Sequence, residues 1–182
     1  CLASLLKAGH VSDSLGVAIS LADIRLAQGR LGEAMRIYEQ ALQRSNAHDG
    51  PVLRGTADMH VGISEILRER NDLAGAMQHL LKSQELGEYT GLEQNRYRSR
   101  VAMSRMAEAE GDLDGALDLL DEAGRQYVSD FLPNVRPVSA MKARVWVAQG
   151  KLAEAQAWAR ELGVSAVDDL SYLREFEHIT LA

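Results

Sequence analysis

One stretch decides the fold: Gly29-Arg30-Leu31-Gly32-Glu33-Ala34. The same pattern, Gly or Asn followed by x-Leu-x-x-Ala, begins again at Asn71, Gly111 and Gly150. The four copies are 42, 40 and 39 residues apart, which is too regular for coincidence in a chain of 182 residues. Self-similarity at a fixed period near 40 residues indicates a repeat protein.

Each part of this motif has a role in a turn between two helices. Gly or Asn adopts the left-handed conformation that closes a helix. The Leu then anchors the second helix against the first. The Ala, three residues later on the same face, is small enough to let the two helices approach closely. The motif therefore predicts an antiparallel helix pair around each copy.

Apolar residues recur at helical spacing on both sides of each turn. The predicted first helices cover 17–28, 56–70, 92–110 and 139–149. The predicted second helices cover 31–45, 73–86, 113–127 and 152–162. Thr90-Gly91-Leu92-Glu93 matches a capping box and is expected to open the first helix of the third pair. Because each pair has apolar surface on two sides, we expect the pairs to stack into a right-handed solenoid.

The pattern resembles the tetratricopeptide (TPR) repeat, although the usual TPR period is about 34 residues. In the first pair, the residues that match TPR positions in order are Leu21, Ala22, Gly29, Leu31, Ala34, Tyr38 and Ala41. HEAT repeats have a period near 40 residues but lack this turn. The expected fold is an all-α solenoid of TPR-like helix pairs, forming one domain over 1–182. Its repeats lie near 11–45, 54–87, 92–128 and 137–163, with partial pairs at both ends.

Composition argues against several classes of function. The formal net charge is −6, with 12 basic and 12 acidic residues in 1–100 and 8 against 14 in 101–182. Without a basic face, the chain is a poor candidate for binding nucleic acid or an anionic membrane. The single cysteine, Cys1, excludes an internal disulfide, and no apolar run is long enough to cross a bilayer. Because both ends look cut, we expect a fragment of a longer cytoplasmic protein.

The sequence contains no catalytic or cofactor-binding motif. It lacks a Gly-x-x-x-x-Gly-Lys-Ser/Thr loop for nucleotide phosphates, a Gly-x-Ser-x-Gly elbow and a Gly-x-Gly-x-x-Gly fingerprint. The five histidines form no His-x-x-x-His pair, although helical packing could bring two of them together. We therefore expect no enzyme activity, no cofactor and no metal site.

Longer segments resemble the superhelical region of MalT-like regulators, which are ATP-binding transcription factors of the LuxR type. Two that carry the resemblance are Ala143-Arg144-Val145-Trp146-Val147-Ala148-Gln149-Gly150 and Leu173-Arg174-Glu175-Phe176-Glu177-His178-Ile179-Thr180-Leu181-Ala182. The resemblance covers essentially the whole chain. It implies a nucleotide-binding module upstream and a helix-turn-helix downstream in the full-length protein. The region between them would receive a small-molecule inducer or a regulatory protein.

The TPR resemblance also implies which residues line a groove formed by the first helices. The implied positions are Asp23, Glu65, Arg105 and Arg144, with Tyr97 and Arg98 one to two turns earlier on the third of these helices. This row changes from acidic to basic, so Arg105 and Arg144 could hold a carboxylate or phosphate by charge-assisted hydrogen bonds. The alternative is that the four charged residues pair with one another or are solvated.

The only basic cluster that contains an aromatic residue is Arg96-Tyr97-Arg98-Ser99-Arg100. Nucleic-acid binding is one interpretation, but arginines at alternate positions of a helix point in different directions. We favour solvation, or salt bridges to Glu88 and Glu93. Trp146 and Trp158 are expected to pack between helices, with ligand stacking as the alternative.

Two functional hypotheses remain. The first is a non-catalytic signal-sensing domain of a MalT-like, LuxR-family transcriptional regulator. In that case a ligand in the groove shifts the population of conformations through its differential affinity. The second is a general TPR scaffold for protein binding that recognises a peptide or helix in the same groove. A phosphate-binding loop upstream and a helix-turn-helix downstream would favour the first.

Overall fold

The computed structural model describes residues 10–128, 134–165, 167–169 and 171–182. Every regular element within these residues is a helix. In chain order they are α1 (Val11–Ala27), α2 (Leu31–Asn46), α3 (Thr56–Glu69), α4 (Leu73–Thr90), α5 (Asn95–Glu110), α6 (Leu113–Gln126), α7 (Val138–Ala148) and α8 (Leu152–Leu162). A 3-10 turn (Tyr172–Arg174) then leads into α9 (Glu175–Leu181). The predicted all-α architecture of helix pairs is confirmed.

The four predicted turns share one backbone geometry. The φ angles are positive at Gly29 (72°), Asn71 (61°), Gly111 (84°) and Gly150 (74°). At the first turn, the Gly29 N–H donates to the carbonyl three residues earlier (2.9 Å), and the next N–H donates to the carbonyl five residues earlier (2.8 Å). The other three turns repeat both bonds. This is the Schellman motif, which satisfies the last carbonyls of a helix as the chain reverses.

The capping box that was predicted at Thr90 is wrong. Thr90 is the last residue of α4, and its hydroxyl donates to the Leu86 carbonyl in the preceding turn (3.0 Å). Helix α5 begins only at Asn95. The Thr90 side chain therefore bonds back to the helix that ends there, and it caps no N–H group of α5.

Asp72 and Asp112 cap the helices that follow two of the turns. Each carboxylate accepts a hydrogen bond of 2.9 Å from the N–H three residues later, on Gly75 or Gly115. A negative charge at this end also interacts favourably with the helix dipole. Asp72 and Asp112 thus both belong to helix N-termini.

The chain divides into two compact units, Cys1–Met103 and Ser104–Ala182. In the first unit, α1 packs on α2, α2 on α3, and α3 on α4. Its core lies between α1, α2 and α3 and includes the fully buried Leu15, Ala22, Ala34, Tyr38 and Met59. One domain over 1–182 stays a prediction, as does the right hand of the solenoid.

Tyr38 lies directly over α3. A Cβ atom placed on Gly62 would collide with the Tyr38 ring, so the absence of a side chain at this position makes room for the ring. The close approach brings the Tyr38 hydroxyl to the edge of the core, where α1, α2 and α3 meet.

In the second unit, α7 packs against α6, α8 and α9. A small core is built from Ala140, Ala143, Trp158 and Ala159. The partly buried Trp146 and Phe176 pack against it, so both tryptophans lie among helices, as predicted. Helix α9 supplies part of the expected further pair at the tail, whereas residues 1–9, where a preceding helix was predicted, lie outside the described residues.

Candidate functional site

Asp23, Tyr38 and Arg98 form a polar cluster on the first unit. Arg98 Nη2 on α5 donates to both carboxylate oxygens of Asp23 on α1, at 3.1 Å each. The Tyr38 hydroxyl on α2 donates to Asp23 Oδ1 at 2.7 Å. One carboxylate therefore connects three helices, and it joins two of the residues that the sequence singled out.

Asp58 lies beneath this cluster and is fully buried. Its Oδ2 accepts a hydrogen bond from the Leu92 N–H (2.8 Å), which lies just before α5. Its Oδ1 lies 3.9 Å from Arg98 Nη1 and accepts no hydrogen bond within the described residues. Arg98 is therefore held between an exposed carboxylate above and a buried one below.

Burial and charge act together on the ionisation of these groups. Burial raises the pKa of the Tyr38 hydroxyl far above its usual value, and the neighbouring Asp23 carboxylate raises it further. Burial also raises the pKa of Asp58, against the opposing effects of the Leu92 N–H and Arg98. Burial alone would lower the pKa of Arg98, but Asp23, Tyr38 and Asp58 raise it overall. Arg98 is thus a permanent cation with acidic groups on two sides.

The upper half of the cluster is open to solvent. The Asp23 side chain is 42% exposed and the Arg98 side chain 28%. A carboxylate or phosphate could therefore compete with Asp23 for the guanidinium, whose planar fork suits two parallel hydrogen bonds. We define the polar cluster as Asp23, Tyr38, Asp58 and Arg98.

The other predicted groove residues lie elsewhere. Glu65 is 3.5 Å from Arg68 on the same helix, and Tyr97 and Arg105 are partly buried on α5. Arg144 is exposed, with its guanidinium carbon 5.6 Å from the centre of the Phe176 ring. An anion held between Arg105 and Arg144 stays a prediction.

The favoured interpretation of the arginine cluster at 96–100 needs correction at Arg98. The sequence favours solvation or salt bridges to Glu88 and Glu93, whereas the structure pairs Arg98 with Asp23 and Asp58 on helices distant in sequence. The partners come from α1 and α3 because the helices stack, and helical spacing within one segment cannot reveal such contacts.

Sequence reasoning missed the roles of Asp58, Asn95 and the Tyr38 hydroxyl. Asn95 is buried and hydrogen-bonds to the Asp58 side chain. One signal was available, because Asp58 stands directly between the apolar residues Ala57 and Met59 at the start of its helix. A charged residue there is seldom buried without a partner.

Two histidines that were considered for metal binding do meet. His60 Nδ1 on α3 lies 2.9 Å from His79 Nδ1 on α4, and the two rings are tilted by 39°. Burial, followed by the proximity of His79, lowers the pKa of His60 to about 4. Burial also lowers the pKa of His79. The described residues contain no group of three or more His, Cys, Asp or Glu side chains that could hold a metal ion.

The sequence of the chain matches the MalT-like TPR region over residues 2–182. The chain belongs to this family. This match confirms both the TPR pattern and the MalT-like resemblance of the longer segments. It also agrees with the all-helical pairs of the structure. A TPR-type helical repeat region is generally non-catalytic, and it fits a regulatory interaction domain.

A solved structure supports the fold independently. The crystal structure of BtubC (BKLC) from P. vanneervenii matches with a TM-score of 0.57, covering 88% of this chain and 69% of that one. The two sequences are 18% identical, so the likeness concerns the fold alone. No curated protein matches the sequence. Among the described residues, no helix is both long and apolar enough to span a membrane.

Proposed function

We propose that this chain is the sensing and regulatory region of a MalT-like, LuxR-type transcriptional regulator. It performs no catalysis and binds a small-molecule inducer or a regulatory protein in the cytoplasm. The observation that carries the proposal is the family match over residues 2–182. In the full-length protein, a nucleotide-binding module precedes this region and a helix-turn-helix follows it.

The polar cluster is the part of the first unit best suited to transmit binding. Asp23 on α1 and Arg98 on α5 are 75 residues apart in sequence and are joined by two hydrogen bonds. An anionic group that takes the place of Asp23 on Arg98 would break the direct bond between the two helices. The ligand then favours the arrangement in which α1 is released, and its differential affinity for that arrangement shifts the population.

The experiment measures transcription from a reporter promoter by the full-length regulator without any added ligand. Asp23→Asn removes the charge that Arg98 binds, and so imitates the ligand-bound arrangement. We expect basal transcription to rise about fivefold, as a shift of about 1 kcal/mol in a two-state equilibrium gives. Glu39→Gln, which neutralises an exposed carboxylate on α2, is the matched control and should leave transcription unchanged.

Two results would contradict the proposal. One is a full-length sequence without a helix-turn-helix, which would favour the alternative function, a general TPR scaffold for a peptide or helix. The other is equal reporter activity of the parent, Asp23→Asn and Glu39→Gln proteins. A scaffold also predicts co-purification with a partner protein from cells, and this association would persist in the Asp23→Asn variant if the polar cluster is only structural.

The predicted anion contact of Arg105 and Arg144 is tested separately. Thermal shift with a panel of anionic metabolites would compare the parent chain with Arg105→Ala and Arg144→Ala. We expect a ligand that stabilises the parent to lose about tenfold in affinity in each variant, since one charge-assisted hydrogen bond is worth about 1.5–3 kcal/mol. Unchanged affinity in both variants would exclude this contact.

A further inference from the structure

A cavity of about 340 Å³ lies between α7 and α8 in the second unit. Its lining includes Trp146, Trp158, Glu154, Glu161 and Lys142. Both tryptophans of the chain are therefore at this one place. The volume lies within the range of small-molecule sites, and the cavity is distinct from the polar cluster on the first unit.

The charge around this cavity is acidic. Lys142 is already neutralised, because its Nζ lies 2.7 Å from the Asp121 carboxylate of α6. Glu154 and Glu161 are exposed and form no hydrogen bond or ion pair with any described residue. Two carboxylates without a partner among the described residues thus border a space that two tryptophans and Ala157 also line, which complements a cation with an apolar body.

The tryptophan rings suit the same kind of ligand. The Lys142 ammonium lies 5.3 Å from the centre of the Trp146 ring, so this ring already accepts a cation. Trp158 is 92% buried, and its Nε1–H has no hydrogen-bond acceptor among the described residues. A buried donor without an acceptor is costly, and a bound ligand or its water could supply one.

The spacing of the two carboxylates sets the length of the ligand. Glu154 and Glu161 are seven residues apart on α8, which corresponds to about 10.5 Å along a helix axis. Trp158 lies between them on the same helix. A linear chain with an ammonium group at each end would reach both carboxylates and lay its methylene groups across the tryptophan rings.

We infer that this cavity, defined by Trp146, Trp158, Glu154 and Glu161, binds a linear aliphatic diamine or polyamine. The two carboxylates bind the terminal ammonium groups, and the two tryptophans pack against the hydrocarbon between them. Nothing in this inference depends on the proposed function, because the polar cluster takes no part in it.

The test uses the intrinsic fluorescence of the whole chain, since both tryptophans line the cavity. Diaminooctane is the main probe, because its extended chain is close in length to the axial rise of about 10.5 Å between Glu154 and Glu161. Aminooctane has one charged end, diaminopropane is too short to bridge the carboxylates, and octanedioate has the same length with opposite charge. We expect a saturable change in emission with diaminooctane, binding about threefold tighter than aminooctane or diaminopropane, and no change with octanedioate.

A double variant and a matched control isolate the carboxylates. Glu154→Gln combined with Glu161→Gln should weaken diaminooctane binding about tenfold, because two exposed charge contacts are lost. Both side chains are exposed, so the fold should be retained, and far-UV circular dichroism checks this. Glu39→Gln, an exposed carboxylate on α2, should bind as the parent does.

Three outcomes would overturn the inference. One is the absence of a saturable emission change with diaminooctane. Another is equal affinity for diaminooctane and aminooctane, which would exclude a contact at both ends. The third is a lysine-rich peptide that binds more tightly than the diamine and loses affinity in the double variant, which would assign the cavity to a basic protein segment.

Discussion

The first and fourth helix pairs have turns of the same backbone geometry, but the residues that follow the turn are buried to different extents. In the first pair, Ala34 is fully buried and Leu31 packs against the core. In the fourth pair, Leu152 is 56% exposed, Ala155 is partly exposed, and Trp158 contributes to the core. The turn is closed by its own backbone bonds, whereas burial depends on the helices packed around it. The motif therefore determines where the chain reverses, but it does not determine how deeply its Leu and Ala residues are buried.

The charged groups of the two regions differ in the same way. In the first unit, Asp58 is fully buried and bonded to the backbone of a distant segment. In the fourth pair, the glutamates of α8 are exposed. Mutations of chemically similar side chains in the two regions should consequently change the free energy of unfolding by unequal amounts.

The largest effect is expected at Asp58. Asp58→Ala leaves the Leu92 N–H without its acceptor and removes a negative charge from beside Arg98, so the free energy of unfolding should fall by about 3–4 kcal/mol. Glu154→Ala in the fourth pair should change it by less than about 0.5 kcal/mol. Urea denaturation measures both. If Asp58→Ala does not fold, Asp58→Asn can be measured in its place, because it keeps an acceptor and should lose less stability. Equal losses of stability in Asp58→Ala and Glu154→Ala would refute the difference between the two regions.

The second prediction concerns acid sensitivity, which should arise from the first unit. His60 keeps a pKa of about 4 in the folded protein against 6.5 when unfolded. As pH falls from 6.5 to 4, the unfolded chain gains a proton that the folded chain resists, so about 2–3 kcal/mol of stability is lost. Above pH 6.5 this stability is fully present. Residues 138–162 of the fourth pair contain no histidine.

Denaturation at several pH values checks the acid sensitivity. His60→Asn, which does not titrate, should reduce this dependence between pH 6.5 and 4. The slope that remains is expected from His79, whose pKa burial also lowers. Two other charges bear on this result, since His79 and Lys82 both lower the pKa of His60. His10→Asn, at an exposed residue, serves as the control and should keep the slope of the parent. An unchanged slope in His60→Asn would contradict the assignment.

The third prediction compares the motif alanines directly. Ala34→Leu should overpack the contact between α1 and α2 and cost about 1–3 kcal/mol. Ala155→Leu should cost less than about 0.5 kcal/mol, because that position is partly open to solvent. Differential scanning calorimetry would show the difference as unequal melting temperatures. Equal melting temperatures would mean that the two alanines have the same role in packing.

The smallest effects are expected at the turns, where the two pairs should behave alike. Gly29 and Gly150 have positive φ angles, and a Cβ atom on either would meet nothing within 4 Å. Replacement by alanine therefore costs only the backbone strain of the left-handed conformation, about 1 kcal/mol in each case. Thermal denaturation of Gly29→Ala and Gly150→Ala would measure it. A large difference in stability between the two variants would show that side-chain packing also contributes to the stability of the turn.

The sequence by itself determined the parts of this protein that depend on short-range interactions. Gly29, Asn71, Gly111 and Gly150 all have the predicted left-handed conformation, because a turn is closed by groups within six consecutive residues. The helices around them follow from apolar spacing, which is also local, although the start of α1 was placed six residues late. The TPR-like repeat could likewise be recognised from these patterns, whereas the MalT-like family, which the match over residues 2–182 shows, was indicated by longer segments such as 143–150 and 173–182.

Only the tertiary structure decided which side chains meet. Arg98 reaches a carboxylate 75 residues away, and His60 and His79 meet across two helices. The tryptophans gather at one cavity for the same reason. Such contacts depend on how helices from different repeats pack, and a pair's burial is the sum of many weak interactions with its neighbours. A local pattern can specify where a helix turns, but the partner of a charged side chain is selected only when the stacked helices bring it within reach.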